Sequence, residues 1–252
     1  MRLTVVGCAG SYPGPESAAS CYLLEASYEG RTFRLLLDLG NGAIGPLQRY
    51  AQLDEIDAVA LSHLHADHCL DLCAFYVVRK YHPDGPMRQL PVYGPEGTAD
   101  RMARAYDIAP DPGMTAEFDF VTFPAEPFDV GPFTVTARRV EHPVPAYALR
   151  VSDGRAAVTY SGDTGPCSSL DEVAKDCDLL LAEASFVDGE DNPDALHMTG
   201  RDAAETAERA GVGQLVLTHI PAWYAPERVL AEARPHFSGD TSLASPGAVY
   251  DV

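Results

Sequence analysis

Short apolar runs, several alternating at every second position, are separated along the chain by glycine- and proline-containing turns. Leu3–Gly7, Ser20–Ala26 and Thr32–Asp38 read as strands, with Glu29-Gly30 as a hairpin turn between the last two. A helix is expected near Pro46–Gln52. Ile56-Asp-Ala-Val-Ala-Leu61 then reads as a buried strand, and a mixed helical pattern covers about Cys69–Tyr81. Tyr81-His-Pro-Asp-Gly-Pro86 breaks that pattern. Pro91-Val-Tyr93 leads to a helix near Thr98–Ile108, and Ala109-Pro-Asp-Pro-Gly113 reads as a loop. Strands then recur near Phe118–Phe123, Phe133–Val140, Tyr147–Val151 and Ala156–Tyr160, with Asp153-Gly154 as a second tight turn. A helix near Ser168–Lys175, a strand Asp178–Glu183, a helix Gly200–Ala210, a strand Gln214–Thr218 and a helix Pro226–Arg234 follow. Two strand-rich halves with interspersed helices allow two sheets packed face to face with helices outside. No low-complexity linker divides them, so one domain over residues 1–252 is expected.

The chemistry concentrates where the buried strand gives way to the helical pattern. Leu61-Ser-His-Leu-His-Ala-Asp-His68 places His63, His65, Asp67 and His68 on a tight strand-to-helix turn. Neutral imidazole nitrogens and carboxylate oxygens suit zinc and similar divalent ions. One ion cannot take all four groups from so short a loop. His63 and His65 can face one metal while Asp67 and His68 face a second. Three further residues each end a strand-like run: His142 after Phe133–Val140, Asp163 after Ala156–Tyr160 and His219 after Gln214–Thr218. The set divides as His63, His65 and His142 on one metal, and Asp67, His68 and His219 on the other, bridged by Asp163. Seven ligands for two ions leave room for a bridging water, as a catalytic site requires. Zinc is the first expectation; manganese accepts the same nitrogen and oxygen donors.

His63-Leu-His-Ala-Asp-His68, His142, Asp163 and His219, in that order, resemble the metallo-β-lactamase superfamily. A finer resemblance, to its ribonuclease Z-like branch and the small bacterial hydrolases near it, rests on five motifs. These are Leu37-Asp-Leu-Gly-Asn-Gly42, Tyr160-Ser-Gly-Asp-Thr164, Leu181-Ala-Glu-Ala-Ser-Phe186, Leu196-His-Met-Thr-Gly200 and Leu217-Thr-His219. The resemblance implies an α+β fold, a four-layer αββα sandwich with the site on one edge between the halves. It implies that Asp67 acts on the attacking water as a base as well as binding metal. It also implies that His197 assists the leaving group while Glu183 orients its ring. Asp38 resembles the aspartate that braces the metal-bound histidines from behind. The chain departs from ribonuclease Z between His142 and Asp163. The tRNA-gripping arm of that family is inserted there, and the 20 residues between them hold only a strand, a turn and a strand.

Charge narrows the substrate. Lys and Arg total 18 against 37 acids, a net charge of −19, and the basic clusters reach only Arg79-Lys80 and Arg138-Arg139. Steering a polynucleotide is unfavourable for such a surface, so a small anionic substrate is expected and tRNA disfavoured. The function expected is a dinuclear metal-dependent hydrolase, first a phosphodiesterase on a small phosphodiester such as a cyclic nucleotide. A lactone or ester hydrolase on the same site, a tRNA 3′-processing endonuclease and a noncatalytic ligand sensor are the alternatives. Hydrophobic residues make up 46% of the chain, no apolar run has the length of a membrane span, and Met1–Gly7 reads as a strand and not a signal peptide. The six cysteines show no paired spacing, which predicts free thiols and a cytoplasmic protein. Cys69 adjoins His68 and is a minor candidate ligand. Trp223 and Tyr224 are candidates to wall the substrate pocket. Relatives in the family often pair, so a homodimer is a further expectation.

Overall fold

The structure is a computed structural model and describes residues 1–252. One sheet has seven strands, in the order Val249–Asp251, Arg2–Gly7, Cys21–Tyr28, Arg31–Leu37, Ala58–Ala60, Leu90–Gly94 and Phe118–Thr122. The other also has seven: Asp240–Leu243, Gln214–Thr218, Leu179–Glu183, Ala157–Tyr160, Tyr147–Ser152, Phe133–Arg139 and Phe128–Val130. Each sheet is antiparallel on one side and parallel on the other. The change falls at Arg31–Leu37 in the first and at Ala157–Tyr160 in the second.

Period-two alternation explains the layering. Leu35 and Leu37 point into the core between the sheets, meeting Leu149, Leu181 and Val216, whereas Leu36 points outward. Leu179 and Leu181 likewise face inward, while Leu180 and Ala182 face the opposite way. The outward set of the first sheet packs under the helices Leu72–Tyr81 and Thr98–Ala105 through Phe75, Tyr76 and Met102. That of the second packs under Ser168–Ala174, Gly200–Ala210 and Pro226–Ala233 through Leu170, Ala203, Ala207 and Val229. The result is the αββα sandwich. Strands covered on both faces have no reason to alternate in polarity, and Leu179–Glu183 is buried throughout.

Several elements differ from the sequence pattern; the helix expected to run to Ile108 ends at Ala105, and a short strand, Phe128–Val130, is not among those expected. The helix expected over Cys69–Tyr81 is two pieces, Ala66–Cys69 and Leu72–Tyr81. At the break, the Asp71 amide donates to the Leu39 carbonyl at 3.1 Å and its carboxylate accepts from the Ile44 amide at 2.8 Å. These ties to a neighbouring loop redirect the chain and leave Asp67 and His68 on a separate helical turn. The helix near Pro46–Gln52 is a single turn, Ile44–Leu47. The strands Asp240–Leu243 and Val249–Asp251 escape the pattern because both lie at sheet edges and no residue in them is buried. Val249–Asp251 returns to pair antiparallel with Arg2–Thr4 in the first sheet, so the two halves interlock at their ends.

Candidate metal centre

The site lies beyond the carboxyl ends of the strands flanking these changes of direction, where sheets of this kind leave a crevice. Asp38 follows Leu37, Ser62 and His63 follow Ala58–Ala60, Asp163 follows Tyr160, and His219 follows Thr218. Asp38 (φ 60°) and His219 (φ 57°) both adopt left-handed backbone. That conformation is uncommon outside glycine and turns each chain sharply out of its sheet. Gly40 allows the turn after Asp38 to lie against the ligand loop, since a β-carbon there would meet the Asp67 carbonyl oxygen at 2.0 Å.

The imidazoles are held from behind. His68 Nδ1 lies 2.7 Å from Asp38 Oδ2, His142 Nδ1 2.9 Å from the Leu196 carbonyl, and His63 Nδ1 3.1 Å from the Ser62 hydroxyl. The Ser62 hydroxyl itself donates to Asp38 at 2.7 Å, so its lone pair faces His63. The Ser185 hydroxyl donates to the His219 carbonyl at 2.7 Å and so accepts from His219 Nδ1 at 2.8 Å. This network assigns the proton to Nδ1 in all four rings and leaves each Nε2 bare. His65 is the exception and presents Nδ1.

Those bare atoms converge in two groups. His63 Nε2 and His142 Nε2 stand 3.1 and 3.3 Å from His65 Nδ1. His68 Nε2 and His219 Nε2 are 3.1 Å apart, and Asp67 Oδ2 is 3.0 Å from His219 Nε2. Asp163 divides its oxygens, with Oδ2 3.6 Å from His63 Nε2 and Oδ1 3.2 Å from His68 Nε2. Within each group, His63-His65-His142-Asp163 and Asp67-His68-Asp163-His219, the donor atoms lie within 4.8 Å of one another. Nitrogen lone pairs aimed at each other repel unless an electrophile lies between them. Asp163 Oδ1 is buried and has no hydrogen-bond donor, a costly arrangement for a carboxylate without a cation. The donor set therefore fits divalent metal.

The electrostatics show carboxylates that call for positive charge: at His68, Asp163 and Asp38 outweigh burial and raise the ring well above the usual histidine range. Burial pushes the His63 ring well below the usual histidine range, as do the neighbouring His68, His65 and His142, so it stays neutral. Burial opposes the charge on Asp163, yet the adjoining His219 and His68 hold it well below the usual carboxylate range. Asp67 is lowered likewise by His219 and His68.

A third group stands beside these. Glu183 is fully buried and accepts from the amides of Thr164 at 2.9 Å and Ser185 at 3.1 Å, and from His197 Nδ1 at 2.8 Å. Burial lowers the His197 pKa, but Glu183 and Asp163 outweigh it and raise it to about 9. The His197 ring lies 5.6 Å from His142 and 5.8 Å from His219, centroid to centroid, and so between the two groups.

All the residues singled out for chemistry in the sequence thus meet at one edge, but Cys69 does not. Its Sγ donates to the His65 carbonyl at 3.2 Å within the apolar layer, and burial pushes the thiol up to about 12. Trp223 is exposed and stacks on Tyr12 at 5.2 Å, whereas Tyr224 packs against the helical layer of the second sheet. The hydroxyls of Ser62, Ser185 and Tyr160 were not legible as site groups. Hydroxyl residues carry no spacing signature; only the fold shows what they hold.

A sandwich with two clusters of side chains able to hold metal at one edge is the arrangement of a metallo-hydrolase. The profile of the beta-lactamase superfamily domain matches residues 33–220, and the chain belongs to that superfamily. It is 32% identical to the probable metallo-hydrolase YhfI of Bacillus subtilis over the full length of both. The crystal structure of YhfI superposes with a TM-score of 0.88 at 31% identity, covering 99% of each chain. An uncharacterised protein of Mycobacterium leprae is 41% identical over 100% of this chain and 89% of its own. Ribonuclease Z of Myxococcus xanthus is 27% identical over 100% of this chain and 98% of its own.

Proposed function

We propose that this metallo-hydrolase is a dinuclear phosphodiesterase acting on a small anionic phosphodiester in the cytoplasm. His63, His65 and His142 would hold one divalent ion, zinc first and manganese as the alternative. Asp67, His68 and His219 would hold the other, with Asp163 shared. Two such ions, when bound, acidify a water and polarise a phosphoryl oxygen.

The observation that carries the reading is the pair formed by His197 Nδ1 and Glu183 Oε1 at 2.8 Å. Glu183 holds Nδ1, which leaves the Nε2 proton free for a leaving oxygen. An alkoxide expelled from a phosphodiester is a strong base, and such a proton lets it depart as an alcohol. Asp67, besides holding metal, would accept the proton of the attacking water. The net charge of −19 favours a small substrate over a polynucleotide.

Turnover of bis-p-nitrophenyl phosphate measured beside a lactone and ester panel tests the reading. Phosphodiester hydrolysis that is lost on chelation supports it. Lactone or ester turnover alone keeps the site and replaces the substrate class.

A further inference from the structure

A cavity of about 390 Å³ opens on the His65 side of the centre. Leu64 and His65 of the ligand loop, Val144 and Pro145 just beyond His142, and Pro95 and Arg101 line it. Two of its walls are therefore the backbone segments that carry metal-ligating side chains. Its size falls within the usual range for small-molecule pockets, and most of the lining is apolar.

Arg101 is the cation of this cavity. It lies on the helix Thr98–Ala105, is half-buried, and forms neither an ion pair nor a side-chain hydrogen bond. Its neighbour Arg104, one turn on, pairs with Asp100 at 3.1 Å. The other arginines that are at least half-buried and lack a carboxylate, Arg79, Arg138 and Arg150, donate to backbone carbonyls, whereas Arg101 has no acceptor. Glu96 shares the cavity but is exposed and does not pair with Arg101. A guanidinium offers donors only, in a planar fork that matches carboxylate or phosphate oxygens. Apolar walls shield such a pair from water and strengthen it.

We infer that Arg101 is a specificity-determining residue, receiving a second anionic group on the substituent of the phosphodiester that extends past His65. The inference rests on the proposed phosphodiesterase reading. It adds a substrate class, phosphodiesters with a terminal carboxylate or phosphate at one end.

The test compares three p-nitrophenyl phosphodiesters whose second substituent is butyl, 3-carboxypropyl or 3-phosphonooxypropyl. Wild-type protein is expected to prefer one or both anionic esters over the butyl ester in kcat/KM, and the better of the two names the group. In Arg101→Met that preference falls by about 10- to 100-fold, the usual worth of a charge-assisted hydrogen-bonded pair. Arg101→Lys, which keeps the charge, restores part of it. No anionic preference in the wild type, or an equal loss on all three esters in Arg101→Met, overturns the inference.

Binding of the matching non-hydrolysable methylphosphonates, measured by calorimetry on metal-loaded protein, separates the two claims. If no ester is turned over but the anionic phosphonates bind more tightly in an Arg101-dependent way, the subsite stands and the phosphodiesterase reading fails. Equal binding of all three phosphonates contradicts the subsite.

Discussion

Asp38 Oδ2 and His68 Nδ1 lie 2.7 Å apart, fully buried at the turn between the sheets. The same carboxylate also accepts from the Ser62 amide at 2.6 Å, the Ser62 hydroxyl at 2.7 Å and the Tyr160 hydroxyl at 2.8 Å. Asp38 therefore orients imidazoles of both donor groups, His68 directly and His63 through Ser62. Such support behind a metal-bound histidine is typically worth about 10- to 100-fold in metal affinity or activity. Asp38→Asn keeps the shape but weakens the hold on the Nδ1 proton. Competition with a chromophoric chelator is expected to show metal affinity reduced by about that factor.

His197 and Glu183 are expected to matter for the departing group. His197→Ala should lower kcat on phosphodiesters by roughly 10²- to 10⁴-fold, the range of general-acid contributions, while elemental analysis finds the metal content unchanged. The loss should be larger for an alkyl ester than for bis-p-nitrophenyl phosphate, whose leaving group needs little protonation. Glu183 raises the His197 pKa, so the required proton is present below the raised value and is lost as pH climbs through it. The alkaline limb of the wild-type kcat profile should accordingly be missing from His197→Ala.

Gly40→Ala tests the turn that seats the ligand loop. The new β-carbon would meet the Asp67 carbonyl oxygen at 2.0 Å, a backbone atom that cannot swing aside. Overpacking of this kind costs about 1–3 kcal/mol, or roughly 2–12 °C in Tm for a chain of this size. Calorimetric melting should show that drop together with reduced metal content.

Metal removal should destabilise the fold as well as silence it. Without cations the bare nitrogens of His68 and His219 face each other at 3.1 Å, and Asp163 Oδ1 has no partner. A ligand present at a thousandfold its Kd adds about 4 kcal/mol to the folded state. Scanning calorimetry with and without a chelator should show a lower Tm for the stripped protein, with recovery on adding zinc or manganese.

Much of this centre was legible because its residues sit at strand ends. A polar residue closing an apolar run, as His142, Asp163 and His219 do, marks the rim of a sheet even before the sheet is known. The helix Gly200–Ala210 was legible to the residue, since Thr199 and Asp202 form its capping box and Gly211 ends it in left-handed backbone. The break at Leu70-Asp71 was not, because Asp71 is redirected by Leu39 and Ile44, contacts remote in sequence. The hydrogen bonds of Ser62, Tyr160 and Ser185 also cross between strands that only the fold brings together. The sandwich itself came from the motif resemblance and not from periodicity, which allowed it without requiring it.

Metal titration of the stripped protein, followed by hydrolysis of bis-p-nitrophenyl phosphate, tests the central claim most directly. Activity is expected to rise from background and reach its plateau as the second equivalent of zinc or manganese binds. Full activity with one equivalent, or turnover unaffected by stripping, would contradict a centre in which Asp163 joins two ions.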